Sequence, residues 1–211
     1  MHRALVRRTT TPARPASCPE LELRLAPEPL APWLATEALT GAREGPPFWA
    51  HAWPGGLALA RFVLDAPALV AGGSVLDFAS GCGVCAIAAA KAGAVSVLAT
   101  EIDAFALAAI AENAQLNEVT LEAQQRDVLG TDEGWAVVLV GDVFYQADLS
   151  VRLEQWLRGL ARRGAAIFIG DPGRTFLPAA RLRCVATYDF LALPAWDSVV
   201  DRPARVWQLD A

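Results

Sequence analysis

The sequence predicts an α/β protein whose sheet is mostly parallel, ends in an antiparallel C-terminal hairpin and carries helices on both faces. Three observations carry this expectation. The stretch Ser74-Val75-Leu76-Asp77-Phe78-Ala79-Ser80-Gly81-Cys82-Gly83 reads as a short apolar strand, a closing carboxylate and a loop of small residues, followed by helix over 84–91. Such a strand, glycine loop and helix start sets backbone N–H groups against a nucleotide-like ligand. Strand and helix patterns then alternate toward the C-terminus, as in a sheet built by parallel crossovers. Finally, the segments 184–191 and 204–209 both read as strands with no helical pattern between them.

Taken in order, residues 1–17 hold Arg3, Arg7, Arg8 and Arg14, several threonines and no acid before Glu20. That is the composition of a mitochondrial transit peptide or of a flexible basic arm, and Pro12, Pro15 and Pro19 favour an extended arm. Residues 20–25 alternate like a strand and 32–39 suit a helix. An N-terminal arm with a short helix, residues 1–45, is therefore expected ahead of a main domain over 46–211. Phe48, Trp49, His51 and Trp53 make an aromatic loop before Pro54-Gly55-Gly56 and a helix over 57–64. Trp49 is expected to cover the core and Trp53 to lie against a ligand.

Beyond the glycine loop, a strand over 95–99 ends at Glu101-Ile102-Asp103, and a helix spans 104–116. A weaker strand over 121–125 ends at Arg126-Asp127. The run 135–140 is almost continuously apolar, as expected of a strand buried on both faces, and ends at Gly141-Asp142-Val143-Phe144-Tyr145. Leu149, Leu153, Trp156, Leu157 and Leu160 form one helical stripe, closed by Arg162, Arg163 and Gly164. The strand 165–169 leads into Gly170-Asp171-Pro172-Gly173-Arg174.

At 211 residues and 54% apolar, the chain suits one domain with an ample core. A formal net charge of −5 gives no basic footprint for nucleic acid. Residues 78–100 hold one charge, Lys91, but Gly81, Gly83 and Gly93 divide them into loop, helix and strand, so no membrane association is expected. Cys82 and Cys85 have a C-x-x-C spacing without a second pair, and are read as small packing residues; no metal site is expected.

Asp77, Glu101, Asp127, Asp142 and Asp171 each follow a strand, so they are expected to line one rim of the sheet. Gly81, Gly83 and Ala86 also satisfy a relaxed dinucleotide fingerprint, with Glu101 placed to meet a ribose. Two ligands compete for that loop. A carboxylate at Asp77 would repel the pyrophosphate of NAD, whereas it suits the cationic amino acid part of S-adenosylmethionine.

On these residues the chain resembles the class I, Rossmann-like seven-stranded S-adenosylmethionine-dependent methyltransferases. More closely, it is similar to the lysine methyltransferases of the electron transfer flavoprotein β subunit. The carriers are Pro47-Phe48-Trp49, Trp53-Pro54-Gly55-Gly56, the Asp77 to Gly83 loop, Asp142 with Tyr145, and Gly170-Asp171-Pro172-Gly173-Arg174. Ala79 stands where that loop usually has its first glycine, which is tolerable if its φ is negative.

The resemblance implies a cofactor, S-adenosylmethionine, held by Trp53, Asp77, Ala79, Ser80, Gly81, Gly83, Glu101, Ile102, Asp127 and Gly141. Asp142 and Tyr145 would be catalytic, with Phe144, Asp171 and Arg174 toward the substrate. Asp142 would recruit a lysine, and an aromatic slot from Phe144 and Tyr145 would favour its neutral amine. The implied partner is a protein substrate, the electron transfer flavoprotein β subunit, acted on by a monomer in a bacterial cytoplasm, or in the mitochondrial matrix if the N-terminus is a transit peptide. A small-molecule amine methyltransferase, an NAD-binding protein and a catalytically inactive interaction module are the alternatives.

Overall fold

The computed structural model describes residues 1–189 and 203–210. Its elements, in order, are α1 (His2–Thr9), β1 (Thr11–Ala13), β2 (Leu23–Leu25), α2 (Leu30–Thr40), α3 (Pro54–Asp65), β3 (Ser74–Phe78), α4 (Val84–Lys91), β4 (Ser96–Glu101) and α5 (Ala104–Leu116). They continue with β5 (Glu122–Gln125), β6 (Val137–Gly141), α6 (Ala147–Arg163), β7 (Ala166–Asp171), β8 (Arg183–Tyr188) and β9 (Ala204–Leu209). The strand expected over 184–191 thus ends at Tyr188, and its last two positions lie outside the described residues.

The main sheet has seven strands in the order β5-β4-β3-β6-β7-β9-β8. Every pair from β5 to β7 is parallel, and β9 runs antiparallel to both β7 and β8. Alternation along the strands divides the core between two faces. Val75, Val97, Leu139 and Phe168 pack with α3, α4 and Ile110 of α5, while Leu76, Leu98, Val138 and Ile167 pack with α6. The chain builds outward from β3 in one direction through β4 and β5, then returns to build through β6 and β7. The crevice this reversal leaves at the carboxyl ends of β3 and β6 is where such sheets take ligands.

One expectation needs correction. Residues 1–17 are not a flexible arm: α1 buries Leu5 and Val6 against Phe105, Ala106 and Ala109 of α5. Buried Glu112 of α5 accepts hydrogen bonds from Arg3 Nε and Arg7 Nε, the latter at 2.5 Å. The arginines are spaced i, i+4 and so share one face of α1. Asn113 and Asn117 bind the edge of β2, accepting from the Arg24 and Glu22 N–H groups at 2.7 and 3.0 Å. The basic residues that suggest a leader therefore hold a helix onto the domain.

Candidate functional site

The site forms where the loops after β3, β4, β6 and β7 meet the N-termini of α3 and α4. Its cavity is lined by His51, Trp53, Gly56, Asp77, the loop from Ala79 to Cys82, Val84, Cys85, Gly141 and Asp142. The sequence-predicted residues Trp53, Asp77, Ala79, Ser80, Gly81, Gly141 and Asp142 are thus brought together.

At the β3 end, Asp77 is buried and accepts from the Ala86 N–H at 2.9 Å and from the Ser80 hydroxyl. Burial pushes its carboxyl up to about 7 against the pull of those two bonds. Ser80 N donates to Thr100 O at 3.1 Å, tying the loop to β4. Ala79 has φ +53°, so the expected negative φ is not observed; a left-handed turn is needed here and alanine bears its strain. Gly81 has φ +56°, and a Cβ built on it meets nothing nearer than Phe48 O at 4.0 Å. Its open side is therefore free for a ligand. Gly83 serves packing instead, since its Cβ would lie 3.2 Å from Ile110.

Glu101, at the end of β4, accepts from the Gly81 N–H at 2.7 Å and from the Ile102 N–H at 3.1 Å. Burial raises its carboxyl above the usual range. Ile102 beside it is 73% exposed, an apolar platform outside the loop. Asp127 is exposed and its side chain accepts from the Leu129 N–H at 2.8 Å.

At the β6 end, Asp142 sits in a left-handed conformation, φ +60°. Its Oδ1 accepts from Arg174 Nε at 3.0 Å and from a terminal guanidinium nitrogen at 2.7 Å. Its Oδ2 accepts from the Gly56 N–H at 3.0 Å, in the first turn of α3, where the helix dipole also favours negative charge. Burial pushes the carboxyl up to about 6, with Arg174 opposing. This arrangement depends on two glycines. A Cβ on Gly55 would fall 2.1 Å from Gly170 O, and one on Gly170 would fall 2.0 Å from Gly55 O. Gly141 is likewise a packing glycine, its Cβ direction lying 3.1 Å from Gly56.

An aromatic wall borders Asp142. The Trp53 and Phe48 rings meet edge to face at 5.7 Å, and Phe48 meets Tyr145 at 6.0 Å. Trp53 Nε1 donates to Phe48 O at 2.9 Å, and the Arg174 guanidinium lies 5.5 Å from the Trp53 ring. Tyr145 is 44% exposed, and burial of its ring raises the phenol above its ordinary range.

Two substrate residues need correction. Phe144 has no exposed surface and packs in the α6-side core with Val140 and Leu153, so it does not wall the slot. Phe48, in ring contact with Trp53 and Tyr145, supplies the wall instead. Asp171 turns onto its own loop, its Oδ1 accepting from the Gly173 and Arg174 N–H groups, both at 2.6 Å. The Asp142–Arg174 pair and the role of Phe48 were missed; the only trace of either in the sequence is an arginine in a turn and a phenylalanine among other aromatics. Cys82 and Cys85 are buried free thiols raised by burial. Among the described residues, no three His, Cys, Asp or Glu side chains are grouped to hold a metal ion.

A seven-stranded sheet in this order, with a carboxylate closing β3 ahead of a small-residue loop, defines the class I methyltransferase fold. The tRNA (uracil-54, C5)-methyltransferase of Pyrococcus abyssi superposes with a TM-score of 0.59 at 18% identity, over 95% of this chain and 44% of that one. The family model of ribosomal protein L11 methyltransferase (PrmA) matches residues 60–147. More specifically, the chain is 44% identical over 159 residues to the electron transfer flavoprotein beta subunit lysine methyltransferase of Xenopus laevis, covering 74% of this chain and 64% of that protein. It is 30% identical over 184 residues to the Caenorhabditis elegans homolog, covering 79% of this chain and 75% of the other. The chain belongs to this electron transfer flavoprotein beta subunit lysine methyltransferase family. It spans less than two thirds of the length of the vertebrate relatives.

Proposed function

We propose that the protein is an S-adenosylmethionine-dependent protein-lysine N-methyltransferase acting on the electron transfer flavoprotein β subunit. The observation that carries this reading is a single cavity with Asp77 and its glycine loop at one end and Asp142 beside an aromatic wall at the other. Family membership supports both the reaction and the substrate.

The residues present fit the cofactor. Gly81 leaves its outer face open, Glu101 offers a carboxylate for hydroxyls, and Ile102 offers an exposed apolar face for a ring. Asp77 supplies negative charge, which suits an ammonium and disfavours a pyrophosphate. Trp53, Asp77, Ala79, Ser80, Gly81, Glu101 and Ile102 would hold the molecule, with Asp127 beyond Ile102. When bound, S-adenosylmethionine supplies an electrophilic methyl group on a sulfonium.

This chain's residues then have to receive and orient an amine. A lysine ammonium with a pKa of about 10.4 costs roughly 4–5 kcal/mol to neutralise at pH 7. Asp142, which lines the cavity, recruits the ammonium, while Trp53, Phe48 and Tyr145 exclude water along its aliphatic stem and disfavour the charged form. The proton leaves to water as the stem enters. The Tyr145 hydroxyl, kept protonated, would hydrogen-bond the neutral amine. Positioning of this kind is the main contribution to an in-line methyl transfer.

The test is incubation of purified electron transfer flavoprotein with this protein and labelled S-adenosylmethionine, followed by a peptide map. One or two methylated lysines on the β subunit are expected. An unmodified β subunit beside robust labelling of a small amine or another protein would overturn the substrate and keep the transferase.

A further inference from the structure

We infer that Arg174 is a positioning residue for the acceptor carboxylate: it fixes Asp142 at the cavity wall by a two-pronged grip on Oδ1. The inference rests on the lysine-accepting reading of the site given above. It adds a residue whose work is done through another side chain.

The geometry divides the two oxygens of Asp142 between separate tasks. Oδ1 receives two N–H groups from one guanidinium, at 3.0 and 2.7 Å. Oδ2 receives the Gly56 N–H at 3.0 Å, against the first turn of α3, and Asp142 lines the cavity with acceptor capacity left over. Arg174 is itself held from three sides. Its backbone N–H is anchored on Asp171 Oδ1 at 2.6 Å, its guanidinium is engaged by Asp142, and the Trp53 ring lies 5.5 Å away. Its side chain is only 12% exposed. A guanidinium so restrained is a clamp, not a stand-in that an arriving ammonium displaces.

The clamp also settles the charge of the site. Asp142 and Asp171 are both buried and lie on neighbouring strands, one position beyond the Gly141–Gly170 pair. With Arg174 between them the cluster has a formal charge of −1, and a single ammonium makes it neutral. Among the described residues, Asp171 Oδ2 is buried without a hydrogen-bond partner. The other titratable groups around Asp142 are Asp77 of β3, Cys85 of α4, His51 of the aromatic loop and Tyr145 after β6; α3 presents only its N-terminal N–H groups. None of these is a permanent cation, so Arg174 supplies the one positive charge that, beside the Gly56 N–H, favours ionised Asp142. Lysine at this position would keep the charge but lose the fork that delivers two N–H groups together.

The experiment compares wild type, Arg174→Gln and Arg174→Lys by carbon NMR of aspartate carboxyls in the unliganded protein, with the Asp142 signal assigned from Asp142→Asn. Wild-type Asp142 is expected to titrate near about 6. Arg174→Gln should move that midpoint up by roughly one unit or more, and Arg174→Lys should restore most of it, as loss and return of a neighbouring charge require. On a lysine-bearing protein substrate at pH 7, Arg174→Gln should lower kcat/KM about tenfold or more, with S-adenosylmethionine affinity within about threefold of wild type. An unmoved midpoint in Arg174→Gln, or a gain in acceptor affinity, would overturn the clamp. If Arg174→Gln fails to fold, Arg174→Lys decides: a wild-type midpoint with reduced kcat/KM supports the fork, and wild-type kinetics refute it. If the wild type transfers no methyl to protein lysines, the titration still decides the role of Arg174, so the two readings fail separately.

Discussion

At the β3–β4 end of the cleft, Asp77 and Glu101 take main-chain N–H groups from Ala86, Gly81 and Ile102. At the β6–β7 end, Asp142 takes the guanidinium of Arg174, which arrives from a turn more than thirty residues away. The first end is made of backbone already shaped by neighbouring residues, and so presents a fixed cradle. The second is made of side chains converging from α3, β6 and β7, and its geometry depends on how closely those elements approach. Cofactor capture and acceptor capture thus have different vulnerabilities, and substitutions can separate them.

The largest separation is expected at the glycine–glycine contact between α3 and β7. Gly170→Ala would place a methyl 2.0 Å from Gly55 O, a backbone atom that cannot move aside alone. A loss of about 3 kcal/mol or more, or failure to fold, is expected in denaturant unfolding. Gly81→Ala meets open space, so only its positive φ is penalised, at about 1–2 kcal/mol. Its larger effect should fall on S-adenosylmethionine binding, read by calorimetry. Equal stability of Gly170→Ala and wild type would show that the two ends are not held differently.

The same difference explains what could be read in advance. The helix Ala104–Leu116 and the strand Ala204–Leu209 match the pattern because local periodicity specifies them. The β3 loop was legible for a related reason: its carboxylate, serine and glycines lie within ten residues and bond to one another. Asp142 was also placed, but not its partner, since nothing local distinguishes an arginine that folds back from one that faces solvent. Phe144 leaves the slot expected of it, and Phe48 takes its place, for a tertiary reason. The left-handed turn at Asp142 sends Phe144 into the core, and Phe48 borders the cleft from a distant loop. The N-terminal arm was misread because Glu112, the acid that holds Arg3 and Arg7, is more than one hundred residues downstream.

A second test addresses chemistry alone. Asp142→Ala should keep cofactor affinity, because no bond between Asp142 and the β3 loop exists to be lost. Methyl transfer should fall about 100-fold or more through loss of acceptor positioning. Tyr145→Phe should cost about tenfold, the value of one hydrogen bond in the site. Parallel measurements of cofactor binding and single-turnover methylation check both. A matching loss of cofactor affinity in Asp142→Ala would mean that the two ends form one unit.

The smallest effect is a pH dependence dominated by the β3 end. Asp77 titrates at about 7 in the folded protein, against 3.8 for an ordinary aspartate. A raised carboxyl binds protons more tightly when folded, so its contribution is full below 3.8 and is lost as pH rises through 7. Between pH 8.5 and 6.5, Asp77 alone should therefore add about 1 kcal/mol of stability on acidification. Asp142, near about 6, contributes only about 0.2 kcal/mol across that window. His51 acts oppositely: burial lowers it to about 4, so protonation of the unfolded chain near 6.5 removes about 0.4 kcal/mol. Asp77→Asn keeps an acceptor for the Ala86 N–H and removes the titration. The stability of wild type relative to this variant should rise by about 1 kcal/mol from pH 8.5 to 6.5, since the His51 contribution is common to both and cancels. Urea unfolding at three pH values supplies the measurement. A constant difference would mean that Asp77 stays ionised throughout, so that its bonds to Ser80 and the α4 N-terminus outweigh its burial.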